Sequence, residues 1–182
     1  MVVNGQGLRQ MMITIKREGD DWAEGIDRSD ALVKVCPFSA QEIIAKIKDA
    51  GIVGMGGAGY PTPIKTKLPE GKKVDCLIIN GIECEPFLTA DDRLMIEKAE
   101  QIVIGAKIIN KALGIQNAII AIDENKPRAI EILTKITKTY IGVNVQVCST
   151  KYPQGGEKQL ITAVTGREVP SGKLPVDAGC LV

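Results

Sequence analysis

The residues best suited to hold a ligand lie in a glycine-rich stretch, which reads GIVGMGGAGYPTPIKTK over residues 51–67. Glycine has no side chain, so its backbone N–H groups are accessible and a flat ligand can lie against the main chain. Tyr60 offers a ring face for stacking, and Lys65 supplies a cation that could reach a phosphate. The candidate cradle consists of four glycines: Gly54, Gly56, Gly57 and Gly59. The alternative interpretation is a flexible loop at the end of a helix.

Neither of the two common phosphate-binding motifs accounts for these glycines. The pattern GMGGAG is loosely similar to the dinucleotide fingerprint, in which the glycines follow a strand and open a helix. Here the glycines follow a predicted helix, and Pro61 comes directly after Tyr60. A Walker loop would need a Gly-Lys-Ser/Thr sequence, which this stretch does not contain.

The segment NGIECEPFLTADDR, residues 80–93, holds a second group of polar side chains. Glu83 and Glu85 are two residues apart, so they would share a face if the preceding strand continued. Carboxylates placed there could accept hydrogen bonds from ribose hydroxyls or from an amide N–H. Asp91 and Asp92 are expected only to cap the helix that follows. The alternative is a solvated acidic loop.

A third segment, YPQGGEKQL, brings two glycines to the start of a predicted helix. Gly155 and Gly156 precede that start directly, and free N–H groups at a helix N-terminus can bind an anion. The alternative is an ordinary junction between a loop and a helix.

The stretches between these segments alternate between helices and strands. In FSAQEIIAKIKDAG, Ser39 and Glu42 predict a capping box at the start of a helix. The long stretch DDRLMIEKAEQIVIGAKIINKALG predicts one helix from about Asp91 to Gly114. The segments KVDCLIING, NAIIAID and VNVQVCS predict strands, and the tail VPSGKLPVDAGCLV predicts a loop.

This order of elements predicts an α/β fold, with a mainly parallel sheet flanked by helices. Parallel sheets bind their ligands beyond the carboxyl ends of the strands. Three stretches fall at such ends, namely 80–86, 121–125 and 152–157. The sequence therefore predicts a ligand site at this edge of the sheet.

Composition excludes several classes of function. The net charge is +1 and aromatic residues make up 3% of the chain, so no nucleic-acid partner is expected. Histidine does not occur, which excludes a serine triad and most zinc sites. The chain has no signal-peptide pattern and no apolar stretch long enough to span a bilayer, so no membrane insertion is expected.

The cysteines form no C-x-x-C pair and predict free thiols without a metal or cluster: Cys36, Cys76, Cys84, Cys148 and Cys180.

Together the three segments resemble the RnfC family, the C subunits of the Rnf electron-transport complex. They are also similar to an Rnf-like electron-transfer protein associated with proline reductase and, more distantly, to the flavin-binding 51-kDa subunit of respiratory complex I. The segments that carry the resemblance are GIVGMGGAGYPTPIK, INGIECEPFLTADDRLM and YPQGGEKQLITAVTGREVPSG. Their order and spacing match over about residues 35–182.

The resemblance implies a site for FMN and NADH in the glycine loop and in the two segments that follow it. It implies that the four glycines cradle the flavin and nucleotide, that Lys65 approaches FMN, and that Tyr60 stacks on the nucleotide. Asn80 and Glu83 match flavin-side polar residues, and Glu85 matches a nucleotide contact. Two further positions match the next loop of the site, Gly156 and Glu157. Three positions depart from the complex I pattern and weaken the NADH assignment: Met55, Ile82 and Lys158.

The resemblance also implies an organisation. Residues 1–38 are expected to be an arm or the remnant of a preceding module, and residues 39–182 an FMN/NADH-binding domain. The family continues with a β-grasp module and 4Fe–4S clusters, so the chain is expected to be a fragment or a truncated homologue. Its expected partners are NADH and other subunits of a membrane electron-transport complex or a reductase system. Its expected location is the cytoplasm or the cytoplasmic face of a membrane.

Three functions remain open on the sequence. The first is an oxidoreductase module that accepts hydride from NADH on FMN and passes electrons to iron–sulfur carriers. The second is a nucleotide-binding or subunit-docking module that has no flavin turnover of its own. A third and weaker hypothesis is a metal or cluster protein built on the five cysteines.

Overall fold

A computed structural model of the chain describes the following residues: 2–3, 9–10, 14–29, 31–55 and 58–182. The chain divides into two compact units, Met1–Leu32 and Val33–Val182. In the first unit, strands β1 (Val2–Val3) and β2 (Arg9–Gln10) pair antiparallel.

A parallel sheet organises the second unit. Its four strands are β3 (Cys76–Gly81), β4 (Ala118–Asp123), β5 (Val143–Cys148) and β6 (Cys180–Leu181). The order across the sheet is β5–β4–β3–β6, and each neighbouring pair is parallel. All but one residue of β4 is buried, as expected for a parallel strand covered on both faces. The predicted α/β fold with a mainly parallel sheet is confirmed.

Helices cover both faces of this sheet. The described α-helices are α1 (Ala40–Asp49), α2 (Thr62–Thr66), α3 (Ala90–Glu97), α4 (Ala99–Leu113), α5 (Pro127–Thr137) and α6 (Glu157–Thr165). A short 3₁₀ helix, Pro175–Ala178, precedes β6. None of the helices in the described part of the chain combines the length and the apolar composition that crossing a bilayer requires.

The alternation of side chains along β4 sends neighbouring residues to opposite faces. Ile120 packs in a core with Val103 of α4 and Leu133 of α5. The next residue, Ala121, packs on the other face with Leu160 of α6. Helices α3, α4 and α5 therefore cover one face, and α6 covers the other.

The helix boundaries were predicted with mixed success. The capping box is confirmed, since the N–H of Ser39 donates to Glu42 Oε2 (2.8 Å) and the N–H of Glu42 donates to Ser39 Oγ (3.4 Å). The single helix predicted from Asp91 to Gly114 is wrong, because Lys98 has φ −126° and separates α3 from α4. The two helices have different neighbours: α3 contacts α5 and β3, whereas α4 also packs on β4 and β5.

The tail is also more ordered than predicted. It was expected to be a loop, but it contains the 3₁₀ helix and strand β6. Cys180 lies opposite Cys76, and Leu181 lies opposite Leu77, in parallel register. The reason is the open edge of β3, whose backbone N–H and C=O groups need hydrogen-bond partners.

Candidate functional site

The glycine-rich loop is closed at its base by two backbone hydrogen bonds. The N–H of Gly54 donates to the carbonyl of Tyr60 (2.8 Å), and the N–H of Thr62 donates to the carbonyl of Ile52 (3.1 Å). Inside this closure Gly59 has φ +61°, a conformation that disfavours any residue with a side chain. The base of the loop is therefore held by backbone hydrogen bonds.

The glycines of this loop have different reasons to be there. A Cβ on Gly54 would have its nearest neighbour 3.6 Å away, at the carbonyl oxygen of Tyr60, which is an ordinary contact. The fold itself does not require glycine at this position, so close approach of a ligand remains as a reason for it. Gly56 and Gly57 lie outside the described residues, and their role in the cradle stays a prediction.

A cavity of about 470 Å³ lies beside the loop. Tyr60 and Lys65 line one side of it, and Glu157 at the start of α6 also lines it. Lys65 Nζ donates to the backbone oxygen of Val182 (2.5 Å) and lies 3.9 Å from Glu157 Oε1. Three predicted site residues from two distant segments are thus brought to one cavity, with a cation in its wall.

Asn80 joins the second predicted segment to the third. Its Nδ2 donates to the carbonyl of Gly155 (3.0 Å), and its Oδ1 accepts the N–H of Ile82 (3.1 Å). A Cβ on Gly155 would lie 3.3 Å from the carbonyl oxygen of Ile82 and 3.4 Å from Cys84 Sγ. The two segments are therefore packed tightly together, and a side chain at Gly155 would require its neighbours to shift.

The carboxylate of Glu83 makes most of its possible hydrogen bonds within the protein. Its carboxylate accepts the N–H groups of Asp91 (2.8 Å) and Asp92 (3.1 Å) at the start of α3, and it pairs with Lys126 Nζ (3.1 Å). Burial raises the pKa of Glu83, but the backbone N–H of Asp91 and the ammonium of Lys126 outweigh this effect, so the pKa lies below its usual value. The cap of α3 is thus Glu83, and not the side chains of Asp91 and Asp92.

Glu85 lies in a different environment from Glu83. They would share a face only if the strand continued, and β3 ends at Gly81. Glu83 is buried, whereas Glu85 is exposed on the loop between β3 and α3. Phe87, two residues further on, has φ +70°. Of the two glutamates, Glu85 is the one whose carboxylate is free to meet a ligand.

Asp123 and Lys126 are part of this edge, although the sequence did not single them out. Asp123 ends β4, is fully buried, and accepts the N–H of Glu83 at Oδ2 (2.9 Å). Its Oδ1 has no hydrogen-bond partner among the described residues. Burial raises the pKa of Asp123, and the N–H of Glu83 and Lys126 oppose that effect only in part. An acidic residue at the end of an apolar strand was the available signal.

The start of α6 separates the first cavity from a second one. Gly156 is the N-cap residue and makes no side-chain cap. Its Cβ would meet Gln159 Oε1 at 2.3 Å and the carbonyl oxygen of Pro153 at 3.1 Å. An open cavity of about 760 Å³ lies on this side, lined by Tyr152, Lys158 and also Glu157. Glu157 therefore borders both cavities.

The cysteines do not form a metal site in the described ranges. No group of three or more His, Cys, Asp or Glu side chains within residues 14–29, 31–55 and 58–182 could hold a metal ion. Burial raises the pKa of Cys76 to about 11 and also raises the pKa of Cys148 and of Cys180. These thiols are thus protonated at neutral pH, which disfavours metal binding.

The sequence profile of the family described as "Nuo51 FMN-binding domain" matches residues 47–182. The chain belongs to this family. The match covers the glycine loop, the whole parallel sheet and α6.

Several longer proteins contain a region similar to this chain. The chain is 49% identical to the C subunit of the proton-translocating ferredoxin:NAD(+) oxidoreductase complex of Clostridium ljungdahlii, over 93% of the chain and 36% of that protein. It is 44% identical to the C subunit of the Na(+)-translocating ferredoxin:NAD(+) oxidoreductase complex of Acetobacterium woodii, over 98% of the chain and 40% of that protein. The chain thus spans little more than a third of these relatives. The resemblance to the RnfC family is confirmed.

A solved structure has the same fold. The NAD+-reducing NiFe hydrogenase in its air-oxidised state matches 68% of the chain and 23% of the hydrogenase chain, with a TM-score of 0.58 and 27% identity. The residues at the first cavity fit FMN, the group for which the family is described. Its volume of about 470 Å³ falls within the range of roughly 300–1,000 Å³ that small-molecule sites occupy. Its wall offers an aromatic ring for a planar ligand and a lysine for a phosphate.

Proposed function

We propose that this chain is the FMN- and NADH-binding module of an electron-transport oxidoreductase. Bound FMN would supply the conversion between hydride transfer, which moves two electrons, and iron–sulfur carriers, which accept one at a time. The chain's own residues bind and orient the two ligands, so the lack of histidine is no obstacle.

The observation that carries this proposal is the meeting of Tyr60, Lys65 and Glu157 at one cavity. Tyr60 and Lys65 belong to the glycine loop and to α2, whereas Glu157 begins α6, far along the sequence. Independent segments that converge on one apolar cavity with a few polar groups are typical of a ligand site.

The residues on the flavin side act through the backbone and through charge. The glycine loop, with Gly54, Gly56, Gly57 and Gly59, lets a flat ring approach the main chain. Lys65 offers its ammonium to the phosphate. Asn80 and Glu83 belong to the same side, and their hydrogen bonds hold the loop after β3 in place.

The residues on the nucleotide side are assigned by exposure. Glu85 is exposed and carries a carboxylate that can accept ribose hydroxyl groups. Tyr60 is half exposed and offers a ring face to the nicotinamide nucleotide. Gly156 is the N-cap of α6, and Glu157, the first residue of that helix, borders both cavities and completes the site.

The partners are inferred from the relatives, which are named as subunits of ion-translocating oxidoreductase complexes. We place this chain in such a complex, or in a reductase system of the same kind, at the cytoplasmic face of a membrane or in the cytoplasm. The electrons would leave to 4Fe–4S clusters elsewhere in that complex or reductase system.

The first test is FMN titration of the purified chain, followed by flavin absorbance and fluorescence. Lys65→Met keeps the aliphatic stem and removes the cation, so FMN affinity should fall roughly ten- to 150-fold, the value of a charge-assisted hydrogen bond. Lys48→Met on α1 is the matched control and should leave the affinity unchanged. Thermal melting of both variants checks that the fold is intact.

The second test concerns the nucleotide. Glu85→Ala should weaken NADH binding by roughly five- to 150-fold and leave FMN occupancy unchanged. Glu85→Gln keeps one acceptor oxygen and should cost less. A chain that binds NADH but takes up no flavin would contradict the proposal and favour a nucleotide-binding module without flavin turnover. Loss of flavin from Glu85→Ala, with unchanged NADH affinity, would reverse the division between the two ligand sides.

A further inference from the structure

Strand β5 forms one edge of the parallel sheet, and β4 is its only partner among the described strands. The carbonyl of Gly142 accepts the N–H of Ala118 (2.8 Å). The carbonyl of Cys148 accepts the N–H of Glu124 (2.9 Å). Since the backbone groups of successive residues point to opposite edges of a strand, the even-numbered residues of β5 face β4. Three residues of β5 therefore direct their N–H and C=O groups outward: Val143, Val145 and Val147.

Most of these outward groups have no partner. The N–H of Val143 donates to the carbonyl of Tyr140 (3.4 Å), and the carbonyl of Val147 accepts Gln146 Nε2 (3.2 Å). The N–H groups of Val145 and Val147 make no hydrogen bond within the described ranges of the chain. A row of unpaired backbone groups at a sheet edge is a template for another strand.

This edge lacks the features that commonly prevent such pairing. Residues 139–150 read TYIGVNVQVCST and contain no charged residue and no proline, although 25% of the chain is charged. The register with β4 runs from Val143 to Cys148 without a bulge. Lysine, proline and bulges are the usual protection of an exposed edge, and a very short strand is another. The opposite edge of the sheet has such a strand, since β6 contains two residues.

The side chains of β5 form a pattern that repeats on both sides of Val145. Val143 and Val145 belong to the core beneath α4 and α5, whereas Asn144 and Gln146 are exposed on the other face. Two antiparallel β5 strands with a two-fold axis at Val145 would place valine opposite valine, and Asn144 opposite Gln146, across the two copies. The same alignment joins the outward backbone groups in hydrogen-bonded pairs. A surface that is complementary to itself is what a two-fold dimer requires.

We propose that β5 is a docking edge for a second copy of this chain, and that the two β5 strands pair antiparallel around Val145. The two four-stranded sheets then form one continuous sheet. No two like charges oppose each other within this pairing, because residues 139–150 are uncharged. The symmetric pattern favours a second copy over a different chain, for which no symmetry is needed. No residue of β5 lines either cavity, so the inference is independent of the proposed function.

The first test is the mass of the purified chain, measured by analytical ultracentrifugation from roughly 1 μM to 1 mM. A strand edge buries less surface than a standard interface of about 1,600 Å², so we expect a dimer that dissociates on dilution. Val147 is 43% exposed, and Val147→Lys places a charge opposite Val143 at both ends of the pairing. The dimer should weaken by roughly two- to 30-fold, the value of two cross-strand pairs.

Two variants separate the pairing from general effects of charge and size. Val147→Thr keeps a β-branched, uncharged side chain and should retain the dimer. Leu94→Lys adds the same charge to an exposed apolar position of α3, where Leu94 is 50% exposed, and should leave the dimer unchanged. Thermal melting of each variant checks that the fold is intact.

Amide hydrogen exchange of the parent chain identifies the edge without any substitution. The N–H groups of Asn144 and Gln146 face β4, so they should be protected at every concentration. Those of Val145 and Val147 gain partners only in the dimer, so their exchange should accelerate on dilution. Val147→Lys should remove most of this concentration dependence at Val145.

A monomeric mass over the whole concentration range overturns the inference. A mass that continues to increase beyond two copies also overturns it, because a two-fold pairing uses the β5 edge completely. So does a dimer that Val147→Lys leaves unchanged, or exchange at Val145 that does not depend on concentration. The FMN titration is measured separately, and none of these results alters its outcome.

Discussion

Replacing Glu83 by glutamine should destabilise the protein more than any other single charge removal at the sheet edge. The change keeps the size of the side chain and removes its charge. Glu83 Oε1 accepts the N–H of Asp91, while Oε2 accepts the N–H of Asp92 and the ammonium of Lys126. A glutamine amide would place an NH₂ group against one of these donors and leave Lys126 unpaired.

The magnitude follows from burial. The side chains of Lys126 and Glu83 are 11% and 3% exposed, and breaking a buried pair from one side costs about 3–5 kcal/mol. For a chain of this length each kcal/mol lowers the melting temperature by roughly 2–4 °C, so we expect a decrease of roughly 6–20 °C. Glu97→Gln is the matched control. Glu97 pairs with Arg93 on the exposed face of α3, the helix that Glu83 caps, and such exposed pairs contribute about 0–1 kcal/mol.

The assay is urea unfolding followed by circular dichroism, with the Lys126→Met and double variants completing a thermodynamic cycle. The pKa of Glu83 lies below its usual value, so its stabilisation is present above the unfolded pKa, near 4.5, and is lost as the pH falls through the folded pKa. The acid-induced loss of stability should therefore be smaller in Glu83→Gln. An unfolding free energy within about 1 kcal/mol of the parent, or no coupling with Lys126, would refute this reasoning.

Two further changes test other parts of the fold. Asp123→Asn should raise the unfolding free energy at pH 7 by about 1 kcal/mol, because an unpaired charged oxygen costs more to bury than an unpaired amide. Burial raises the pKa of Asp123 above its usual 3.8. The ionised carboxylate therefore destabilises the parent protein increasingly as the pH rises above that value. Urea titrations from pH 4 to 7 should thus show that the stability advantage of Asp123→Asn over the parent becomes smaller as the pH falls. A variant that is less stable than the parent at neutral pH would contradict this prediction. Gly142→Ala should destabilise by at least about 1–2 kcal/mol, because φ is +88° and its Cβ would lie 2.3 Å from the carbonyl oxygen of Gln116. Gly114→Ala has a similar φ of +70° without a clash, so its thermal melt should shift less.

The features that the sequence predicted correctly are those decided by neighbouring residues. The capping box at Ser39 and Glu42 needs only a spacing of three. The apolar runs of β3 and β4 have strand composition along their whole length, and their alternation with helices determines the parallel sheet. The strands and the α/β class therefore followed from local patterns.

The features that it missed depend on residues far apart in the chain. Strand β6 has only two residues, too few for any periodicity, and it forms because the edge of β3 is open. No proline or glycine near Lys98 signals the break between α3 and α4. The ion pair of Glu83 is made with Lys126, and its backbone N–H donates to Asp123. Both partners are separated from Glu83 along the chain by more than one helix. Spacing alone could not distinguish this buried glutamate from the exposed Glu85.

The pairing of β6 with β3 has a consequence for the order in which the protein is made. A ribosome adds roughly 5–20 residues per second, so several seconds pass between the emergence of Cys76 and that of its partner, Cys180. During that interval β4 can already pair with β3, while the other edge of β3 exposes unpaired backbone groups to other nascent chains. Synthesis of this domain thus includes a time window in which the unpaired edge of β3 is exposed to aggregation.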